Sequence, residues 1–113
     1  MRVELHQIVV DAREPGSLVR FWAGLLGGEP VDRERGWSHV EPPGSARMAF
    51  QPVPEDRAGK NRLHLDLRVA DLDAAVTLAI SLGASAGGPV VGDEQGSFRV
   101  MLDPEGNEFC FVT

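Results

Sequence analysis

The two halves of the chain repeat one order of segments. Each half begins with an apolar strand segment, continues with a helical pattern and ends with short strand segments. An offset of 57 residues aligns Gln7 with His64, and near the end of each half an offset of 59 aligns Gln51 with Cys110. At 113 residues the chain is one domain long, so neither half is large enough to close a core of ordinary size alone. The repeat therefore predicts a single domain of two βαβββ modules, at about 1–54 and 62–113, joined by a linker at about 55–61.

Two helices are predicted, one in each module. Apolar residues recur at helical spacing over 15–26, where Pro15 suits a first helical position and Gly27 follows the last apolar residue. The second helix follows Asp71, a good N-cap residue, and ends at Gly83. The remaining apolar segments predict strands at 3–11, 29–33, 37–41, 47–53, 63–69, 97–102 and 108–112, a strand or turn at 89–92 and a tight turn at 103–107.

Charge and composition narrow the classes of partner. The chain has 11 basic and 17 acidic residues, for a net charge of −6, and no cluster of basic residues. We therefore expect no nucleic-acid partner. No apolar run approaches the roughly 18 residues of a membrane span, the N-terminus has no apolar signal core, and the single cysteine excludes an internal disulfide framework. A cytoplasmic protein with a small-molecule or protein partner and no membrane association is expected.

Three segments carry a resemblance to a known family: FWAGLLG at 21–27, GKNRLHLDL at 59–67 and DPEGNEFC at 103–110. Together with the repeat, they resemble the vicinal oxygen chelate superfamily, which includes glyoxalase I, extradiol dioxygenases and proteins of fosfomycin and bleomycin resistance. The small glyoxalase-like domain is the most similar branch. The resemblance implies an α+β fold in which the two βαβββ modules form a cupped, mixed, mostly antiparallel sheet with helices on the outer face. It also implies a homodimer.

The resemblance further implies a position for metal ligands. Metal-dependent members place His or Gln early in the first strand of each module and Glu on the last strand, and these positions match Gln7, His64, Gln51 and Cys110. Only His64 is a strong ligand, so we expect no complete metal site and no cofactor. A divalent Zn, Ni, Mn or Fe site is the alternative, with His64 and Glu108 joined by either Gln7 or His6. Strand alternation disfavours His6 as a partner, because His6 and Gln7 face opposite sides of a regular strand.

Strict alternation over 63–69 places His64, Asp66 and Arg68 together on the polar face of a strand. A histidine there suits general base catalysis or ligand binding. Trp37 lies on a predicted strand, where its indole suits stacking on a flat ligand. Arginines suit anionic ligand groups, and Cys110 suits a nucleophile or a small buried residue. The candidate catalytic residues are His64 and Glu108, and the candidate ligand-binding residues are Gln7, Trp37, Gln51, Asp66, Arg68, Arg99 and Cys110.

Three hypotheses of function follow. The first is a protein that binds a small organic molecule in a cleft without the usual complete metal site. The second is a divalent-metal-dependent lyase, dioxygenase or resistance enzyme that uses His64 and Glu108. The third is a non-catalytic interaction domain. The missing carboxylate at Cys110 disfavours the second, and the polar residues expected to face the cleft favour the first over the third.

Overall fold

The computed structural model of the chain describes all residues from Met1 to Thr113. It divides into two compact units, Met1–Asp56 and Arg57–Thr113, which correspond to modules one and two. The boundary between them falls inside the segment that we interpret as a linker. Each module contains one helix and one mixed sheet, so the α+β class and the repeat of two modules are confirmed.

Module one contains four strands and one α-helix. The elements are β1 (Gln7–Ala12), α1 (Pro15–Leu26), β2 (Val31–Asp32), β3 (Ser38–Val40) and β4 (Arg47–Pro52), with a 3-10 turn at Glu34–Gly36. The helix forms where predicted. Pro15 occupies its first turn, and Gly27 ends it with a φ of 91°, a left-handed conformation that glycine adopts with little cost.

The sheet of module one has the order β1-β4-β3-β2, and only the β1–β4 pair is parallel. This pairing sorts the side chains onto two faces. Met48 and Phe50 lie on the face that packs against α1, where they join the buried Leu18 and Val19 of the helix. Burying each of these large side chains contributes roughly 1.5–3 kcal/mol to folding. The opposite face, which we call the cavity face, carries Gln7, Val9, His39 and Ala49.

Module two contains five strands and one α-helix. The elements are β5 (Leu65–Arg68), α2 (Leu72–Ser81), β6 (Ser85–Ala86), β7 (Val91–Asp93), β8 (Gly96–Leu102) and β9 (Glu108–Val112). The carboxylate of Asp71 accepts a hydrogen bond of 3.0 Å from the backbone N–H of Ala74, so the predicted N-cap is present. The sheet runs β5-β9-β8-β6, with β7 also paired to β8, and only β5–β9 is parallel.

The pairing of β5 with β9 also separates two faces. Phe109 and Phe111 are fully buried on the helix face, with ring centroids 5.5 Å apart in an edge-on arrangement. Asp66 pairs with Cys110 on the opposite face, which we call the helix-free face of module two. Glu108 shares this face with Cys110, because the two residues are two positions apart on a regular strand.

Several strands differ from their predicted bounds. The first begins at Gln7, because Met1–His6 has no strand partner and is exposed. The segment predicted as a strand at 29–33 keeps only Val31–Asp32, since the chain then enters the 3-10 turn. Strand β6 was not predicted, because two residues carry no readable alternation. Neither helix has the length and apolar composition needed to cross a membrane.

The pairing also changes the offset of the repeat near its end. Residues of β1 pair with residues 40 positions later, as in Gln7 with Arg47, whereas residues of β5 pair 44 positions later, as in Asp66 with Cys110. The offset of 57 at the first strand therefore becomes 61 at the last strand instead of 59. The burial patterns agree, because Met48, Ala49 and Phe50 are buried in β4 and 109–111 are buried in β9. The counterpart of Cys110 is thus Ala49 and not Gln51.

The predicted turn at 103–107 is organised by a buried aspartate. Asp103 is 3% exposed, and its Oδ1 accepts hydrogen bonds of 2.9 Å from the backbone N–H groups of Glu105 and Asn107. The side-chain amide of Asn107 donates a further bond of 2.9 Å to Oδ2. The carboxylate therefore provides hydrogen-bond acceptors for partly buried N–H groups of Glu105 and Asn107. These bonds hold the turn that leads into β9.

We predict that Asp103→Ala lowers the free energy of unfolding by about 2–4 kcal/mol, because it leaves several partly buried donors without a partner. Urea unfolding followed by circular dichroism measures this loss. The control is Asp93→Ala, which removes an exposed aspartate whose Oδ1 accepts a single bond of 2.8 Å from the N–H of Gln95. Asp93→Ala should lower the free energy of unfolding by less than about 1 kcal/mol. Equal losses in the two variants would contradict the role given to Asp103.

Candidate functional site

A cavity of about 350 Å³ lies in module one. Its size is at the lower end of the range usual for small-molecule sites. Two of its lining residues, Gln7 and Trp37, are among those predicted from the sequence. The cavity is lined by Gln7, Arg33, Glu34, Arg35, Trp37, Ser38, His39 and Ala49.

Two parts of module one build this cavity. The cavity face of the sheet supplies Gln7, His39 and Ala49, because β1 and β3 both pair with β4. The segment between β2 and β3 supplies Arg33, Glu34, Arg35 and Trp37, and Ser38 is the first residue of β3. The segment is closed on itself by a bond of 2.7 Å from the N–H of Arg33 to the carbonyl of Trp37. The indole of Trp37 is therefore held by a tight turn next to the sheet.

The start of this turn is anchored by an ion pair. The guanidinium of Arg20 on α1 donates two hydrogen bonds, of 3.1 and 2.9 Å, to the carboxylate of Asp32 in β2. The hydroxyl of the buried Ser38 donates a third bond of 2.9 Å to the same carboxylate. These bonds hold the pKa of Asp32 below its ordinary value. The hydrogen bond from Ser38 to Asp32 thus joins the residues that come directly before and after the 33–37 segment.

His39 carries an unsatisfied polar atom. Its Nδ1 is buried and has no hydrogen-bond partner, which is uncommon for a buried polar group. Burial lowers the pKa of His39 below its ordinary value of 6.5, the positive charges of Arg47 and Arg33 lower it further, and Glu41 acts in the opposite direction. The imidazole is therefore neutral near pH 7. A neutral imidazole in a cavity wall can exchange one hydrogen bond with a ligand.

Arg47 lies beside His39 but is already paired. Its Nε and terminal nitrogen donate bonds of 2.9 and 2.6 Å to one oxygen of Glu41, and they lower the pKa of that carboxyl group. The guanidiniums of Arg33 and Arg35, by contrast, make no hydrogen bond or ion pair. The cavity wall therefore offers charged donors that the protein itself does not use.

A second cluster lies on the helix-free face of module two. The side chains of His64, Asp66 and Cys110 bring their donor atoms within 4.8 Å of one another. His64 Nε2 lies 3.4 Å from Asp66 Oδ1, and both side chains are more than half exposed. Cys110 is buried. Burial raises the pKa of its thiol, and the negative charges of Asp66 and Glu108 raise it further.

The donor atoms of this cluster suit a zinc ion in type, and the pair formed by His64 and Asp66 also suits it in spacing. Nitrogen, oxygen and sulfur ligands at roughly 2.0–2.3 Å in a tetrahedral shell lie about 3.3–3.8 Å apart. The distance of 3.4 Å between His64 Nε2 and Asp66 Oδ1 falls in that range. Because the ion must displace the thiol proton of Cys110, binding would strengthen as the pH rises. A bound Zn²⁺ would supply Lewis acidity and an activated water.

The other predicted site residues lie apart from these two groups. Gln51 is exposed at the end of β4, opposite Asp11, and does not line the cavity. Arg68 is exposed on the helix-free face of module two. Arg99 lies on the helix face of β8, where its Nε donates a bond of 3.0 Å to the carbonyl of Gly88.

Glu108 begins β9, and its backbone N–H donates a bond of 3.2 Å to the side-chain oxygen of Asn61. Its carboxylate is close enough to Cys110 to raise the pKa of that thiol. His6 precedes β1 and is exposed.

Six of the eight lining residues were not singled out as site residues from the sequence, among them Arg33, Arg35 and His39. The arginines fall in a segment without periodicity, where a turn cannot be told from a short strand. His39 lies between Ser38 and Val40 on a predicted strand, a setting equally typical of a structural histidine. His39 is two residues after Trp37, so both side chains face the same side of a regular strand. This is the only sequence signal that could have predicted His39 as a cavity residue.

The fold and the two groups of polar residues define a two-module glyoxalase-like protein. The family model described as "Glyoxalase-like domain" matches residues 7–112. The chain therefore belongs to the glyoxalase-like domain family, as the sequence motifs predicted. No curated protein matches the sequence at a significant level.

Solved structures share the fold over nearly the whole chain. A glyoxalase/bleomycin resistance protein/dioxygenase family enzyme from Burkholderia phytofirmans PsJN is 18% identical, with a TM-score of 0.82 over 97% of this chain and 98% of that one. The fosfomycin resistance protein FosX from Listeria monocytogenes is 13% identical, with a TM-score of 0.79 over 99% and 93%. FosX from Mesorhizobium loti is 19% identical, with a TM-score of 0.75 over 100% and 92%. At these identities the similarity establishes the fold.

The lowered pKa of His39 predicts a pH dependence of stability. The unfolded state binds a proton near pH 6.5, whereas the native state resists protonation of this imidazole. The free energy of unfolding should therefore fall as the pH drops from about 7.5 through 6.5. His39→Gln should flatten this slope, and His6→Gln makes the same change at an exposed position of the same module. Urea unfolding at a series of pH values measures both, and an unchanged slope in His39→Gln would contradict the prediction.

Cobalt binding tests the cluster of module two. If the site binds metal, Co²⁺ should give a thiolate-to-metal charge-transfer band that grows with pH and disappears in Cys110→Ser and His64→Ala. Glu108→Gln is the control, because it removes the carboxylate of the alternative ligand set and leaves the cluster intact. A band that survives Cys110→Ser, or one that Glu108→Gln abolishes, would contradict ligation by His64, Asp66 and Cys110.

Proposed function

We propose that this glyoxalase-like domain binds a small organic molecule in the cavity of module one. The observation that carries the proposal is the cavity of about 350 Å³ that combines the indole of Trp37, the amide of Gln7 and the imidazole of His39. Six of the eight lining residues are polar or charged, and convergent polar groups beside an aromatic side chain can fix the orientation of a ligand. The unsatisfied Nδ1 of His39 adds a group that gains a partner when a ligand binds.

Binding in this cavity does not require a metal ion. Among the lining residues only His39 and Glu34 are common metal ligands, and Gln7 is a weak neutral one. Stacking on Trp37 and hydrogen bonds from Gln7 and His39 are sufficient to orient a flat molecule. We therefore propose that affinity at this site is unchanged by chelators.

The predicted residues of module two belong to the second candidate function, a lyase, dioxygenase or resistance activity of its helix-free face. Asp66, 3.4 Å from His64, is placed to orient the imidazole as a general base, and Glu108 lies on the neighbouring strand. The cluster of His64, Asp66 and Cys110 is the observation that favours a metal-dependent form of this activity. Arg68 on the same face is available to an anionic group of a substrate.

Two further features of the prediction remain proposals. We propose that the chain pairs as a homodimer, as the resemblance to the vicinal oxygen chelate superfamily implies. Sedimentation velocity tests this proposal, and a monomer at micromolar concentration would contradict it. A cytoplasmic location is supported by the composition of the chain, and fractionation of cells that express it tests that location.

The proposed function predicts the behaviour of Trp37→Ala. A panel of small aromatic compounds screened by thermal melting in the presence of EDTA should include compounds that raise the melting temperature. These compounds should also shift the indole N–H resonance of Trp37 in ¹H–¹⁵N NMR spectra. Trp37→Ala should weaken their binding by about tenfold or more, because it removes most of the aromatic contact area.

The matched control is Phe98→Ala, which removes an exposed aromatic side chain from β8 in module two. This control should leave affinity unchanged. If Phe98→Ala and Trp37→Ala weaken binding equally, or if bound compounds shift only resonances of module two, the assignment of the site to the cavity of module one is wrong. Compounds that bind only after metal is added would favour the second candidate function.

A further inference from the structure

We propose that the ligand of the module-one cavity carries an anionic group, a carboxylate or a phosphate, that is bound by the guanidiniums of Arg33 and Arg35 while its flat body lies against Trp37. This inference rests on the proposed function and names the chemical class of its ligand. It comes from the charges around the cavity, which the family resemblance does not specify.

The guanidiniums of Arg33 and Arg35 have no hydrogen-bond or ion-pair partner in the protein. In this chain Arg20 is paired bidentately with Asp32, and Arg47 is paired with Glu41. Arg33 and Arg35 also lie in an acidic protein, with 17 acidic against 11 basic residues, yet they make no ion pair. Guanidiniums present a fork of N–H donors whose geometry matches carboxylate and phosphate oxygens.

The backbone of Arg35 has an unusual conformation. This residue has a φ of 63° and a ψ of 23°, and it is the only non-glycine residue in the chain with a positive φ. A long side chain in the left-handed region is unusual, and such residues are concentrated at functional sites. Arg33 and Arg35 flank Glu34 in the sequence, and the turn that contains them is closed by the hydrogen bond from the N–H of Arg33 to the carbonyl of Trp37. The strained backbone of Arg35 therefore lies in the wall of the cavity.

The residues that line the cavity carry a net positive charge. Glu34 is the only acidic residue among the lining residues, and it forms no ion pair with either arginine. Because His39 is neutral near pH 7, the lining carries a net charge of about +1. An anionic ligand is attracted to this wall, whereas a cationic ligand would face two guanidiniums. Glu34 remains available to a hydroxyl or amine group elsewhere on the ligand.

The experiment compares probes that share a flat body and differ in charge. 2-Naphthoate, 2-naphthyl phosphate, the neutral 2-naphthamide and the cationic 2-naphthylmethylamine are titrated into the wild-type chain, and the indole N–H resonance of Trp37 reports binding. We expect at least one anion to bind about tenfold or more tightly than the amide, and the amine to bind most weakly. Raising the salt concentration should narrow the difference between the anions and the amide, because ions screen exposed charges.

The variants assign the effect to individual residues. Arg35→Asn removes the guanidinium and keeps a residue that tolerates the left-handed conformation, so the turn should survive. Arg33→Gln removes the other guanidinium. Each should weaken binding of the preferred anion about tenfold and leave binding of the amide within about twofold. The matched control is Arg62→Gln, which makes the same change of charge at an exposed, unpaired arginine of module two.

Each outcome has a distinct meaning. If no probe shifts the Trp37 resonance, the proposed function fails and this inference fails with it. If the amide or the amine binds as tightly as both anions, the cavity binds small molecules but the inference of an anionic ligand is wrong. If Arg62→Gln weakens anion binding as much as Arg35→Asn, the effect reflects net charge, and the assignment to Arg33 and Arg35 is overturned.

Discussion

The parallel pairing of the first and last strands in each module determines which side chains lie together on each face of its sheet. Residues in adjacent parallel strands are paired along their length, so one register decides which side chains share a face. In module one the pairing of Gln7 with Arg47 brings Gln7, Ala49 and His39 to the face that α1 does not cover. In module two the pairing of Asp66 with Cys110 assembles the cluster on the helix-free face.

The same pairing explains how much of the fold could be predicted. Both helices were predicted because their apolar spacing and end signals are local, as at Asp71 and Gly27. The last strand, Glu108–Val112, was also predicted at its observed bounds. The offset of the repeat between Gln51 and Cys110 was wrong, because matching phenylalanines in sequence does not determine which strand residues are paired. That information comes from long-range hydrogen bonds.

The candidate site was predicted in part for a related reason. Gln7 and Cys110 were predicted from positions that match the family motif, and His64 and Asp66 from strand alternation. In the structure Gln7 and Trp37 line the cavity, and His64, Asp66 and Cys110 lie together. Arg99 lies on the helix face, which alternation alone could not show without a known register. Arg33 and Arg35 could not be assigned, because the left-handed turn that contains them has no periodic pattern.

The two modules carry different sets of polar side chains. In module one the cavity wall combines an aromatic ring, a neutral histidine and unpaired guanidiniums, a set suited to recognising a molecule. In module two the exposed His64 and Asp66 flank a buried thiol, a set suited to a metal ion or to proton transfer. Membership of the glyoxalase-like family fits both, because a fold by itself does not determine function.

Ligand binding in the cavity of module one is best tested by a crystal structure of the chain grown with a flat aromatic carboxylate. We expect density for the ring against the indole of Trp37, with ligand atoms within hydrogen-bond distance of His39 and of at least one guanidinium of the 33–37 turn. Density found only on the helix-free face of module two, with the cavity of module one filled by water, would contradict this expectation.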